Sequence, residues 1–265
     1  MKTTPHRHLK SLLVLLLVMA SGGNAMAVLT TVSDSRSLNT SATLGDPDFP
    51  RTTDQDSAVF SGLGGDWNVS IESIAANPFQ TLGRGRASQV SSVGDGLIQA
   101  VLQYSVDGPN FYAANTFNHF RLEFTTDALS TFNLEASTNF ENREGNGYHQ
   151  ESLIRLSDIT DSRVIFEHAE TRDNAITFRD PPLVVGQTGT LVPDHIYELE
   201  ILGLIDKPGF FEGTFFDTLT VTLNFPVPEN SGTGFLLAIS IGALVGIYSC
   251  QKGTWADRVS GGGSD

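Results

Sequence analysis

The chain has 265 residues, a single cysteine (Cys250), and 30 acidic against 16 basic side chains, for a formal net charge of −14. No intramolecular disulfide is available, so a folded domain must rely on its core. The charge excludes nucleic acid and anionic lipid as natural partners of the domain, all the more because Lys2, Arg7, Lys10, Lys252 and Arg258 lie near the ends and Lys207 is the one lysine between them.

In chain order, the first predicted element is an export signal. Lys2, Arg7 and Lys10 form a basic stretch, residues 11–20 an uncharged apolar run, and Ala25 and Ala27 the small-residue pattern of a cleavage site. That layout predicts a secretory signal peptide over residues 1–27, removed by signal peptidase after Ala27. The apolar run is shorter than the ~20 residues that span a bilayer. Val28 to Asp56 is rich in Ser, Thr, Asp and Asn and reads as an irregular segment or an early edge strand.

From there to Phe225 the apolar residues recur mostly at period two. Trp67 to Ile71 and Leu97 to Val106 are the first candidate strands. Phe120, Leu122 and Phe124 share a face, as do Phe132, Leu134 and Ala136, then Ile154 and Leu156, then Val164 and Phe166. Tyr197, Leu199 and Ile201 oppose Glu198 and Glu200, and Leu219, Val221, Leu223 and Phe225 oppose Thr218, Thr220 and Thr222. These are half-buried antiparallel strands. Turn signals at Asp107–Asn110, Gly145–Gly147, Pro181–Pro182, Gly186–Gly189 and Lys207–Gly209 separate them. No stretch keeps a 3.6-residue apolar period long enough for a sizeable helix. Residues 28–225 therefore read as an all-β ectodomain, an antiparallel β-sandwich of jelly-roll type, with an immunoglobulin-like sandwich as the alternative.

Beyond it, residues 226–234 are a Pro- and Gly-bearing linker, residues 235–250 are charge-free and apolar, and residues 251–265 form a polar tail. As a helix the apolar segment covers roughly 24 Å, a little less than the ~30 Å hydrocarbon core, and reads as a transmembrane helix. Prolines on both sides of Val227 disfavour helix and hold the linker extended, a form that a processing enzyme can bind.

The order Val227-Pro228-Glu229-Asn230, small residues, a short hydrophobic helix and then basic residues resembles the PEP-CTERM sorting signals, and their sister group built on Val-Pro-Asp-Ser-Gly. Asn230 stands where the first group has a second proline, and Glu229 where the sister group has aspartate. The resemblance implies recognition by an exosortase, cleavage near Val227–Glu229, and delivery to the cell surface or extracellular matrix. Gly189, Leu191, Pro193, Tyr197 and Leu199 also resemble a late-strand pattern of the ectodomains that carry such tails. There Pro193-Asp194 turns the chain into a strand, and Tyr197 and Leu199 plug the core.

Candidate chemistry is sparse. His119, His149, His168 and His195 do not pair at the spacings of common metal motifs, and there is no Gly-x-Ser-x-Gly nucleophile elbow. Asp46 with Asp48, Asp54 with Asp56, and the run from Glu141 to Asn146 offer loop oxygens, which make a structural calcium a candidate and no other cofactor. Glu198 with Glu200, or Glu141 with Glu144, could serve a secreted glycoside hydrolase only if two carboxylates faced each other across a cleft. Trp67, Tyr112 and Tyr148 are the candidate contacts for an extracellular polysaccharide, which would make the domain a carbohydrate-binding module. The leading expectation is a non-enzymatic surface or matrix protein with a structural or adhesive role.

Overall fold

A computed structural model describes residues 28–45, 51–76, 82–94, 96–108, 112–143, 147–173, 178–179, 183–207 and 213–226. Among them are thirteen strands and no helix: β1 Leu29–Leu44, β2 Thr52–Val59, β3 Gly65–Ala76, β4 Leu82–Gly94, β5 Leu97–Gly108, β6 Tyr112–Thr126, β7 Ser130–Arg143, β8 His149–Asp158, β9 Arg163–Asp173, β10 Phe178–Arg179, β11 Leu183–Leu191, β12 Tyr197–Lys207 and β13 Gly213–Asn224. The signal peptide, the sorting motif from Val227 to Asn230 and the apolar segment 235–250 lie outside the described residues. No helix among the described residues is long and apolar enough to cross a membrane.

The strands form two antiparallel sheets. The first runs β2-β1-β6-β12-β8-β9; the second runs β3-β4-β5-β13-β7, with β10 and β11 both pairing with the outer side of β7. From β5 onward most connections change sheet, and only β8–β9 and β10–β11 follow one another within one. The sheets stack face to face, β1 against β3 and β4, β6 against β4 and β5, and β12 against β5 and β13. This is a β-sandwich, as the period-two pattern predicts.

Strand alternation explains the core. Along β12 every second residue is buried, and Leu199, Ile201 and Ile205 are wholly inaccessible. Phe120, Leu122 and Phe124 from β6 meet Ile98, Leu102 and Val106 from β5, and Leu219, Val221 and Leu223 complete the same cluster from β13. Each such side chain contributes roughly 1.5–3 kcal/mol by leaving water.

Three expectations are corrected. Gly186–Gly189, read as a turn, lie inside strand β11 and pair with β7. The segment after Val28 is not irregular: β1 is a 16-residue strand paired along β6, and β2, which begins in the same segment, pairs with the Ser37–Leu44 half of β1 and forms the sheet edge. The inward positions of β1 are Arg36, Leu38, Thr40, Ala42 and Leu44, so polar side chains hide the alternation. Val164 and Phe166 do not share a buried face either. A register shift opposite Leu156 and Ser157 leaves Val164 53% exposed while Phe166 packs on the core.

Candidate functional site

The aromatic residues singled out for sugar contact are placed apart. Tyr148 is buried in the main core, its ring 4.3 Å from that of Phe215 and 5.6 Å from that of Phe140. Tyr112 is buried in a second cluster with Ala42, Leu44 and Ala75, where a Cβ on Gly83 would overlap its ring. Trp67 is half-buried, edge-on to Phe60 at 6.0 Å and packed near Leu38, Ile71 and Ala87. The three do not form a sugar-binding strip, because inward alternation gives Tyr112 and Tyr148 to the core. Ala25, Ala27, Val227, Pro228, Glu229 and Asn230 lie outside the described residues.

The paired carboxylates are also accounted for. Glu198 and Glu200 point outward from the first sheet, Glu198 bonded to Arg121 at 2.6 Å and Glu200 3.4 Å from His119 and 3.8 Å from Arg155. Asp54 and Asp56, expected in a loop, stand instead on strand β2, where Asp54 accepts the backbone N–H of Ile74 at 2.8 Å and Asp56 that of Ser57 at 2.8 Å; Asp46, Asp48 and Glu144 lie outside the described residues.

A polar layer that sequence reasoning missed lies between the sheets. In the first sheet, Gly203, Ser152 and Glu170 form one cross-strand row, and Ile205, Gln150 and Arg172 the next. Facing them in the second sheet, Tyr104, Asp217 and Phe140 form a row. Gly203 lacks the Cβ that would overlap the Tyr104 ring, which lets that side chain cross the interface. Tyr104 then donates to Asp217 Oδ2 at 2.5 Å, and Gln150 Nε2 donates to the same oxygen at 2.8 Å. Asp217 Oδ1, Gln150 Oε1 and Ser152 Oγ have no hydrogen-bond partner. At the β9 edge, Arg172 pairs with Glu170 and lies over the Phe140 ring, 4.9 Å from its centroid.

Burial pushes the Asp217 carboxyl up to about 6, and Glu170 adds to the rise, while Tyr104, the Thr218 N–H and Arg172 oppose it. Burial, and then the charge of Asp217, raise the Tyr104 hydroxyl well above its ordinary range. Asp217 thus takes up its proton at about pH 6, well above the usual carboxylate range. It is only 1% exposed, so the group titrates inside a packed core. The register carried a signal: if Leu219, Val221 and Leu223 face inward, so does Asp217.

A second group stands where the β8–β9 and β11–β12 turns meet. His195 Nδ1 lies 3.0 Å from Asp158 Oδ2 and 3.9 Å from Asp161 Oδ2, and these three could hold a metal ion. The turns are fixed locally. Ser162 and Asp194 have left-handed backbones, Asp158 accepts the Asp161 N–H at 3.1 Å, and Thr160 accepts that of Ile196 at 2.9 Å. Tyr197 accepts the Val192 N–H at 2.7 Å and donates to its carbonyl at 3.2 Å, so the Pro193–Asp194 turn does lead into a strand plugged by Tyr197 and Leu199. Burial raises the Asp158 carboxyl, but the His195 and Asp161 hydrogen bonds win, and the group is held below its usual range.

On the outer face of the second sheet, Phe216 lies half-exposed in a shallow depression of about 310 Å³, lined by Arg86, Ser105, Glu141 and Thr214. Arg86 bonds Glu72 across the neighbouring pair at 2.5 Å.

No family model matches the chain, and no curated protein matches it. Among solved structures it is similar to the enzymatically active domain of bacteriophage CBA120 tailspike protein 4, at 13% identity over 54% of this chain and 19% of that one, with a TM-score of 0.23. It is also similar to a structure of infectious bursal disease virus, Gx strain, at 10% identity over 78% of this chain and 58% of that one, with a TM-score of 0.26. The VP2 subviral particle of the same virus gives 11% identity over 77% and 62%, with a TM-score of 0.21. The chain spans less than two thirds of each of these chains, and likenesses at this level define neither a family nor an activity.

Proposed function

We propose that this chain is an exported, non-enzymatic surface or extracellular-matrix protein with a structural or adhesive role, delivered through its PEP-CTERM-like tail. The observation that carries the reading is the use of the domain's functional-looking side chains. Tyr112 and Tyr148 are buried, Glu198 and Glu200 are ion-paired, and Asp217 is sealed between the sheets, while the outer face of the second sheet carries Thr218, Thr220 and Thr222. The strand order supports the jelly-roll form of the sandwich. β5, β13, β7 and β11 make one four-stranded layer and β6, β12, β8 and β9 the other, with β1 to β4 extending the edges nearest β5 and β6. The membrane, an exosortase and the secretion machinery are the partners that this reading requires.

Replacing Val227, Pro228 and Glu229 by alanine in the native host tests it. The expected result is a precursor held in the membrane fraction and lost from the cell surface; unchanged surface delivery would rule out sorting through this motif.

The Phe216 depression favours carbohydrate binding as the second reading, since one aromatic face between an arginine and a carboxylate suits a sugar ring. On a glycan array, a signal that Phe216→Ala abolishes would move the function to a carbohydrate-binding module. A secreted glycoside hydrolase is the least favoured, because Glu198 and Glu200 share one face of β12 and pair with Arg121, His119 and Arg155 rather than facing each other across a cleft.

A further inference from the structure

We infer that the outer edge of β11 is a self-association surface, where a second copy of this chain adds its own β11 in antiparallel pairing and joins two second sheets into one. The sandwich has four sheet edges, and three of them carry charge within the strand. β2 has Asp54 and Asp56, β3 has Asp66 and Glu72, and β9 has five charged residues in the run Arg163–Asp173. The β3 edge is further guarded, because the Ile74 N–H is held by Asp54 from β2. Such charges and caps are how sandwiches stop edge-to-edge pairing.

β11 differs. Leu183–Leu191 contains no charged residue and no proline, and six of its nine residues are exposed. Leu183 is 45% and Val184 71% exposed. Its inner side is fixed by nine consecutive pairings to β7. The Phe225 N–H donates to Gly96 on the β5 side, so Asn224 and Asn133 turn toward each other; Thr188, opposite Asn133, then faces away from β7, and its carbonyl accepts the exposed Gln187 side chain at 3.2 Å. Alternation then places the N–H and C=O of Val184, Gly186, Thr188 and Thr190 on the same open side.

Charge selects the occupant. On a chain of net charge −14, most contacts between copies bring carboxylates together. The β11 edge brings none. A two-fold axis through Gln187 pairs Val184 with Thr190 and Gly186 with Thr188, so every outward backbone group on both copies finds a partner. The association stands on this edge alone; its use in building a matrix rests on the structural reading above.

Sedimentation velocity of the full chain in a mild detergent, over roughly 1–200 µM, tests the pairing. The expected result is a concentration-dependent dimer, with slowed amide exchange over β11 in the dimer. Thr188→Pro removes an outward N–H without touching the β7 ladder, and Val184→Lys places a charge on the edge at an exposed position. Both should weaken the dimer at least tenfold while circular dichroism stays that of the native sandwich. A chain that stays monomeric throughout, or a dimer that survives both variants unchanged, would overturn the proposal. Neither outcome would alter the result of the Val227–Glu229 sorting test, so the two readings fail separately.

Discussion

Asp217 sits where the alternation along β13 calls for an apolar side chain, and its consequences follow from that displacement. The carboxyl is raised to about 6 from 3.8, so its folded-state value lies above its unfolded one. The proton-bound group therefore adds stability that is full below about pH 4 and lost as pH rises through 6. That loss is on the order of 3 kcal/mol at most. Asp217→Asn keeps the shape and removes the charge. It should melt higher than the parent at pH 8, with the difference closing by pH 4, and thermal unfolding at both pH values checks this. Asp158 acts in the opposite sense: its lowered carboxyl gives stability above about pH 4 that is lost on further acidification. The Asp34–Arg36 pair is a second buried polar device. Arg36 clasps both Asp34 oxygens at 2.9 and 2.6 Å, donates to the Gly65 carbonyl at 3.1 Å and to Ser91 at 3.0 Å, and lies 4.2 Å from the Phe60 ring centre. Asp34→Ala leaves that guanidinium buried and unpaired and should cost about 3–5 kcal/mol in denaturant unfolding. Neither device stood out in the sequence, because an inward charge on a strand looks like the end of the strand.

Among the elements, β5, β6, β12 and β13 were legible because each keeps three inward apolar residues in succession, such as Phe120, Leu122 and Phe124 or Leu219, Val221 and Leu223. β1 and β11 were not, and β9 was read as a strand with Val164 wrongly on its buried face. β1 turns Arg36 and Thr40 inward, β9 turns His168, Glu170 and Arg172 toward the inter-sheet layer, and β11 has glycines at 186 and 189 where a pattern would be read. Gly203 ties two elements together, since β12 approaches β5 only because Tyr104 has room there. Gly203→Ala should therefore destabilise by about 1–3 kcal/mol and loosen the Tyr104–Asp217 bond. Loss of the Asp217 pH response along with a lower melting temperature would be the sign that the same contact was broken.

For the whole molecule, the sandwich class was legible from period two, but the strand order was not. Pairing partners such as β13 with β5 lie more than a hundred residues apart, and local sequence carries no address for them. The functional reading rests instead on the two ends and on how the domain disposes of its reactive side chains. Intact-mass measurement of the protein from its native host tests that reading most directly. The account predicts a mature species lacking residues up to Ala27 and everything beyond about Glu229, free of Cys250 and of Lys2, Arg7, Lys10, Lys252 and Arg258. A mature species that still carries residues 235–250 would contradict it.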